Sequence, residues 1–446
     1  MPRDGSGIYT TPAGTTAVPD TTIESTKYNN NVADVAADLN APRPIIAGGT
    51  GANNAVDAAN NLGVVTGKGA QTFTEAEKAV ARNNIAAAPL DALAYNGMQV
   101  NGSMDVSQEL GFANSRTTSG YVCDGWTQFI NGTMVVASQV NGAAVFAFSN
   151  FLNVSVTTAQ TTIGASNYMF VMNVIEGYRT ARLGWGTASA QPVTIGFWTA
   201  HARPGTYSVS IRNGAANRSY CTTYTQNVAN AAEYKTVTIP GDVTGTWEKT
   251  NGTGFYVAFA MAYGSGGITP TNNAWVTGSF TAAIGQINGV AATSDVFRLT
   301  GVVVLPGTQA PTAAQSPLIM RPYDQELVTC QRYFRHSYPA GVAIGAASQN
   351  ATAIQDRRYL TSNDGYPTVS PVYFDPIMRA SPTITLYSPN SGNAGRISCV
   401  GPSSSDITAN PVNVTEKSFT AQGDGATVVN AGANSFYLHY KADARL

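Results

Sequence analysis

Between Tyr121 and Pro306, apolar residues keep falling at every second position, in short runs separated by Gly, Pro and Asn. The clearest are Val193-Ile195-Phe197, Tyr207-Val209-Ile211, Lys235-Val237-Ile239 and Val257-Phe259-Met261-Tyr263. A period of two places alternate side chains on one side of a strand, so each run can bury one face and show water the other. Roughly ten to twelve such runs, with no helical pattern among them, predict an antiparallel two-sheet sandwich over this stretch.

The surface chemistry agrees with a β-rich particle. Charged residues make up 11% of the 446-residue chain, against about 25% in typical soluble domains. Thr, Ser, Asn, Gly and Gln stand in their place, which solvate without charging and favour strands and turns. The net charge is −1 and the only adjacent basic pair is Arg357-Arg358. Nucleic-acid binding needs a concentrated basic footprint, so no nucleic-acid partner is expected. The apolar runs, such as Val302 to Leu305, are far shorter than the roughly 20 residues of a membrane helix, so no membrane insertion is expected. The opening MPRDGSGIYTTPAG lacks the pattern of a secretory signal.

Cofactor and metal signatures are missing too. Cys123, Cys221, Cys330 and Cys399 are far apart in sequence and read as buried thiols. His201, His336 and His439 are isolated, so no metal site and no catalytic histidine is expected. Gly63 to Gly69 is one residue short of a phosphate-binding loop, and Gly69 stands where a magnesium-holding Ser or Thr belongs. Gly49-x-Gly51 has Asn54 in place of the third glycine of a dinucleotide loop. No cofactor is assigned.

Ahead of the sandwich, residues 1 to 24 are Pro-, Thr- and Gly-rich and aperiodic, which reads as an extended arm. Tyr28, Val32, Val35, Ala36 and Leu39 then fall at helical spacing; Ser25 or Thr26 can cap this helix and Pro42 ends it. Two short helix-compatible pieces follow, AANNL at Ala58 to Leu62 and ARNNI at Ala81 to Ile85. Helices this short are marginal alone, so they need neighbours, and copies from other chains are the simplest source. Gly48-Gly49-Thr50-Gly51-Ala52 followed by Asn60-Asn61-Leu62-Gly63 resembles the GGTGA-type repeat of bacteriophage tail fibres. The opening MPRDGSGxY with its Thr-rich arm is similar to the virion-anchoring end of some of those fibres. A Gly/Asn-rich stretch from Pro89 to Gly120 reads as a link to the main body, and Asn96 to Gly111 also looks like a fibre element.

The sandwich itself resembles the jelly-roll carbohydrate-binding module of phage fibres and glycan-processing enzymes. The resemblance lies in Asp124 to Phe129, Thr194 to Asn213 and Val296 to Gly307. Beyond a Pro/Ala/Ser/Gln hinge, Tyr323, Leu327, Cys330 and Phe334 share a helical face, with acids at the start and Arg332 and Arg335 at the end. The run Glu326-Leu327-x-x-Cys330-Gln331-Arg332-Tyr333-Phe334, with the closing Phe436 to Leu446, resembles a segment that follows such modules in phage fibres. Short strands such as Val369 to Phe374 and Phe436 to Tyr440 make this last region β-rich.

Glycan cleavage needs two carboxylates across one bond, at about 5 to 10 Å. Asp242 with Glu248, or Glu176 with Asp295, are the available pairs. Depolymerising tailspikes usually carry a long repetitive β-helix, and no such repeat is visible, so no catalytic residue is assigned. The turn Gly264 to Gly267 is not a nucleophile elbow. Sugar binding asks only for aromatic rings among neutral hydrogen-bonding groups. Trp247, Tyr263 and Trp275 lie in loop-like settings of that kind and are the candidate glycan contacts. The competing reading has these rings closing the ends of the sandwich core. Trp126 and Trp198, inside strand-like runs, read as core. Tyr359, Tyr366 and Tyr387 are a second candidate surface.

The sequence therefore predicts a mainly β, elongated trimeric fibre with short N-terminal helices. Residues 1–41 form the virion-anchoring arm and helix, 42–120 the shaft and linker, 121–310 the jelly-roll domain and 311–446 a β-rich tip. As the resemblance implies, it would be a homotrimeric receptor-binding protein of the virion. It would attach by residues 1–41 to a tail, baseplate or adaptor protein and bind a host surface polysaccharide. A structural adaptor and a glycan depolymerase are the rival functions.

Overall fold

The computed structural model describes residues 10–13, 18–22, 24–41, 49–50, 52, 55–62, 80–81, 97–142, 146–339, 341–348, 352–402 and 404–446. The chain forms two compact units, 1–88 and 89–446. In the first, α1 (Ser25–Asn40) starts after Glu24, which makes no side-chain cap, and stops before Pro42 as expected. The second helix, α2 (Ala55–Asn61), covers most of the AANNL piece, and Asn61 Nδ2 donates to Thr50 O at 3.0 Å. Most of the second repeat, Asn83 to Ile85 included, lies outside the described residues.

The second unit is mainly β. Its first twelve strands are β1 (Gly120–Cys123), β2 (Trp126–Asn131), β3 (Val135–Gly142), β4 (Asn150–Thr158), β5 (Tyr168–Glu176), β6 (Val193–His201), β7 (Gly205–Asn213), β8 (Arg218–Gln226), β9 (Glu233–Ile239), β10 (Thr253–Tyr263), β11 (Trp275–Thr277) and β12 (Val296–Pro306). Among the described residues they form a seven-stranded sheet, β1-β2-β5-β10-β7-β8-β11, and a five-stranded sheet, β3-β4-β12-β6-β9. All their pairings are antiparallel. The alternation read from sequence fills the space between the sheets. Ile195, Phe197, Tyr207, Val209, Ile211, Val257 and Phe259 are at most 1% exposed, and they share one cluster with Trp126. Trp198 lies instead on the far side of the smaller sheet, half-buried beside Phe146 and Tyr234.

The stretch read as a link is part of this core. Met98 and Met104 are fully buried, and Met98 N donates to Val304 O at 2.9 Å while Val302 N donates to Gly102 O at 2.9 Å. The Gly and Asn that marked a linker serve a tight turn here: Gly97, Asn101 and Met104 all have positive φ.

The remaining strands, β13 (Phe334–His336), β14 (Ile354–Leu360), β15 (Val372–Tyr373), β16 (Thr383–Tyr387), β17 (Arg396–Val400), β18 (Ser405–Val412), β19 (Ser418–Gly423) and β20 (Gly432–Asp443), form a second β layer around Phe419, Phe436 and Leu438. Long β20 organises it, pairing with β14 and β17 along one half and β13 and β16 along the other. It is fastened to the sandwich just after α3 (Tyr323–Gln331). Arg332 Nε and Nη2 donate to Glu176 at 3.1 and 2.7 Å, and Tyr333 OH donates to the same carboxylate at 2.6 Å. Glu326 accepts from Arg321 and from Asn101 N. The fibre-like Glu326 to Phe334 motif is thus the joint between the two layers.

Candidate functional site

The core-facing alternation of β10 breaks at its end. The β5 register slips between Ala260 and Ala262, leaving Met261 and Ala262 both in the inter-sheet core. An extra residue of this kind reverses the side chains beyond it. Tyr263, which the simple alternation assigns to the inner face, therefore lies on the outer face of the seven-stranded sheet, opposite Tyr168. The turn Gly264 to Gly267 allows it, because a Cβ on Gly267 would stand 1.8 Å from Tyr263 Cε1.

That outer face is aromatic. Phe129 on β2 stacks on Phe170 of β5 at 5.2 Å and 15°, and Phe170 stacks on Tyr263 at 5.8 Å and 16°. Tyr168 meets both Phe170 and Tyr263. The floor between the rings is Phe170, Met172, Val174, Ala258 and Ala260, each at most 5% exposed. Phe129, Tyr168, Tyr256 and Tyr263 are half-buried, each keeping part of its ring in water. Along one side, the segment after Tyr263 folds back over β7 and β8, with Ala283 N donating to Ser208 Oγ and Phe280 N to Ser219 Oγ. Leu446 packs at the other side. From Tyr256 to Tyr263 the face runs for about 20 Å along β10. Burial raises the Tyr263 phenol above its ordinary value, so it stays a neutral donor and acceptor near pH 7.

The other two candidates lie elsewhere. Trp247 is 7% exposed and belongs to the inter-sheet core. Its ring meets Trp185 at 4.6 Å and Trp275 at 5.3 Å, both edge-on, and its Nε1 donates to Thr244 O. Trp275, on β11, is half-buried against that core, and its Nε1 donates to Pro240 O at 2.8 Å. These rings contact one another directly, with no gap for a guest. Nearby, the pocket lined by Trp185, Trp247, Glu248 and Lys249 measures about 10 Å³, room for a water and not for a sugar ring. The structure thus brings Tyr263 into an aromatic surface with Phe129, Tyr168, Phe170 and Tyr256, and keeps the tryptophans together at the core. The four partners of Tyr263 were missed because their outward alternation in β2, β5 and β10 looks like ordinary strand sequence.

The carboxylate pairs are separately engaged. Asp242 is held by Arg218 Nε and Nη2 at 2.7 Å each, Glu176 by Arg332 and Tyr333, and Asp295 by Arg203 at 3.0 Å. Glu248 accepts from the backbone of Lys249 and Thr250. His201 is buried between Tyr207 and Phe297, and its pKa is well below the ordinary value because of that burial. His439 Nε2 lies 2.7 Å from Ser348 Oγ, a spacing seen in nucleophilic dyads. Ser337 Oγ accepts from Tyr440 N and lies 3.0 Å from His439 Nδ1, so each ring nitrogen has a serine hydroxyl beside it. The group at Nδ1 is thus a hydroxyl and not the orienting carboxylate of a catalytic triad. All four cysteines are buried free thiols. No group of metal-ligating side chains is present among the described residues.

No protein-family model matches the chain, and no curated protein matches it in sequence. Solved structures match in part. One is the enzymatically active domain of bacteriophage CBA120 tailspike protein 4, at 13% identity and a TM-score of 0.26, over 48% of this chain and 22% of that one. Another is the family 11 carbohydrate-binding module from Clostridium thermocellum in complex with a β-1,3-1,4-mixed-linked tetrasaccharide, at 12% identity and a TM-score of 0.23. It covers 45% of this chain and 99% of that one. A third, TmCBM61 in complex with β-1,4-galactotriose, matches at 10% identity and a TM-score of 0.23, over 47% of this chain and 98% of that one.

Proposed function

We propose that this chain is a glycan-binding fibre of a bacteriophage tail, which attaches to the virion through residues 1–41 and adsorbs to a host surface polysaccharide. The observation that carries the glycan reading is the aromatic surface around Tyr263. Phe129, Tyr168, Tyr256 and Tyr263, half-buried along one sheet face, leave apolar ring surface for the C–H patches of sugars, and Tyr hydroxyls with Arg212 and Ser279 at the margin offer hydrogen bonds. The fibre reading rests on the sequence resemblance of the arm, the GGTGA repeat and the Glu326 to Phe334 motif.

Helix α1 supports association of several copies. Its apolar stripe is open, with Tyr28, Val32 and Leu39 60%, 49% and 72% exposed, whereas Asp38 is buried. Spacings of four and three residues between Tyr28, Val32, Val35 and Leu39 are those of a coiled-coil seam, which two further copies of the helix would cover. Three copies would multiply weak sugar contacts by raising their effective concentration.

Incubating the full chain with host polysaccharide tests the function. Adsorption without shortening is expected; a shortened glycan would make it a depolymerase, and no interaction would leave the adaptor role. Light scattering after size-exclusion chromatography should give three times the 46.5 kDa chain mass.

A further inference from the structure

Arg212 stands at the Tyr256 end of the aromatic surface. It is opposite Tyr256 in the β7–β10 register, and its guanidinium lies 5.0 Å over the Tyr256 ring. Nη1 donates to Ser279 Oγ at 2.8 Å, while Nε is shielded from water and has no acceptor. Among the described residues no carboxylate pairs with Arg212. Two other arginines of the protein show the partner a half-buried guanidinium takes here. Arg218 grips Asp242, and Arg332 grips Glu176, each through Nε and Nη2 together. This side-on fork matches the two oxygens of a carboxylate. Arg212 has no such carboxylate among the described residues: its Nε is closed off, and the half-buried guanidinium keeps its charge uncompensated beside the row of aromatic rings.

We propose that Arg212 makes this surface selective for acidic polysaccharides, those whose sugars carry a carboxylate, with the carboxylate beside the uncompensated guanidinium and neighbouring sugar rings against Tyr256 and Tyr263. The proposal rests on the glycan-binding reading and adds the substrate class to it. A carboxylate supplies the opposite charge that no side chain of the protein places beside Arg212 among the described residues, whereas a neutral hydroxyl leaves the guanidinium uncompensated.

The test uses the full chain and a panel of uronate- and sialate-containing polysaccharides, each paired with its carboxyl-reduced form, plus neutral glucans, xylans and galactans. Binding is read by calorimetry or immobilised-glycan adsorption. At least one acidic polymer should bind about tenfold or more tighter than its reduced form. Arg212→Gln should abolish that difference, Arg212→Lys should keep only part of it, and Tyr263→Ala should weaken binding to both forms. Melting curves of each variant establish that the fold is intact. Equal binding of the acidic and reduced forms, or an Arg212→Gln protein that retains the preference, would overturn the proposal. If Tyr263→Ala still abolished binding in that case, the glycan reading would stand without the acidic preference. Failure of the whole panel to bind would remove both.

Discussion

Two aromatic clusters lie on the same sandwich and face opposite ways. Trp185, Trp247 and Trp275 pack edge to face against one another, with Trp185 stacked on Phe255 in the inter-sheet core, while Phe129, Phe170 and Tyr263 stack and Tyr168 tilts against them along the outer face of the larger sheet. Both are framed by Gly, Asn and Thr in sequence, so composition around a ring does not separate them. What separates them is backbone registration. The tryptophans sit where loops turn back over an open end of the core and their indole N–H groups find backbone carbonyls. Tyr263 sits just past a bulge that reverses its side of the strand. Rings with polar frames thus become a core wedge or a surface according to one residue of register.

That contrast is easiest to break at Trp247. Its replacement by Ala removes a ring buried among other rings and should cost about 3 to 5 kcal/mol of stability. The melting temperature should fall by many degrees, while the glycan affinity of the protein that remains folded is unchanged. Lost affinity with little loss of stability would return Trp247 to the recognition surface. Tyr263→Ala should behave in the opposite sense. A binding loss of about 1 to 3 kcal/mol per site is expected, by analogy with base stacking on aromatic side chains, with only a small change in melting. Gly267→Ala should have a smaller effect of the same kind, because the added Cβ pushes the Tyr263 ring off its seat without removing it. Adsorption assays on the two variants should rank them in that order.

Acid should affect the two regions differently. His201, His336 and His439 all have pKa values lowered by burial. Each is neutral in the fold, so its contribution to stability is present above the unfolded value near 6.5 and is lost as pH falls below it. Asp124 acts in the other direction. Burial pushes it up to about 6, so its contribution is present below 3.8 and is lost as pH rises toward 6. Three histidines against one aspartate predict a melting temperature that falls from pH 7 to pH 5. His201→Phe should flatten that fall. Among the described residues the aromatic surface carries no histidine, so glycan affinity should stay level between pH 6 and 8.

The sequence made the architecture legible where burial is one-sided. In β6, β7, β9 and β10, alternation named the inward residues, and Trp126 was legible as core because it belongs to such a strand. It failed where a residue's neighbour is remote. Glu176 looked like half of a carboxylate pair, yet its partners Arg332 and Tyr333 are 156 and 157 positions away. Met98 and Met104 looked like linker residues because the turn glycine and asparagine around them dominate the local composition. The bulge at Met261 has no local sequence mark, since Ala260-Met261-Ala262 fits either face, so the outward turn of Tyr263 appears only once β10 is registered against β5.

The most direct measurement is the glycan affinity of the full chain, set beside that of a Tyr168→Ala/Tyr263→Ala protein and a Trp275→Phe protein, each with its melting curve. Loss of binding in the tyrosine double variant with melting nearly intact, and retention in the Trp275 variant, is the predicted result. Undiminished binding by the double variant would contradict the assignment of the recognition surface to the outer face of the larger sheet.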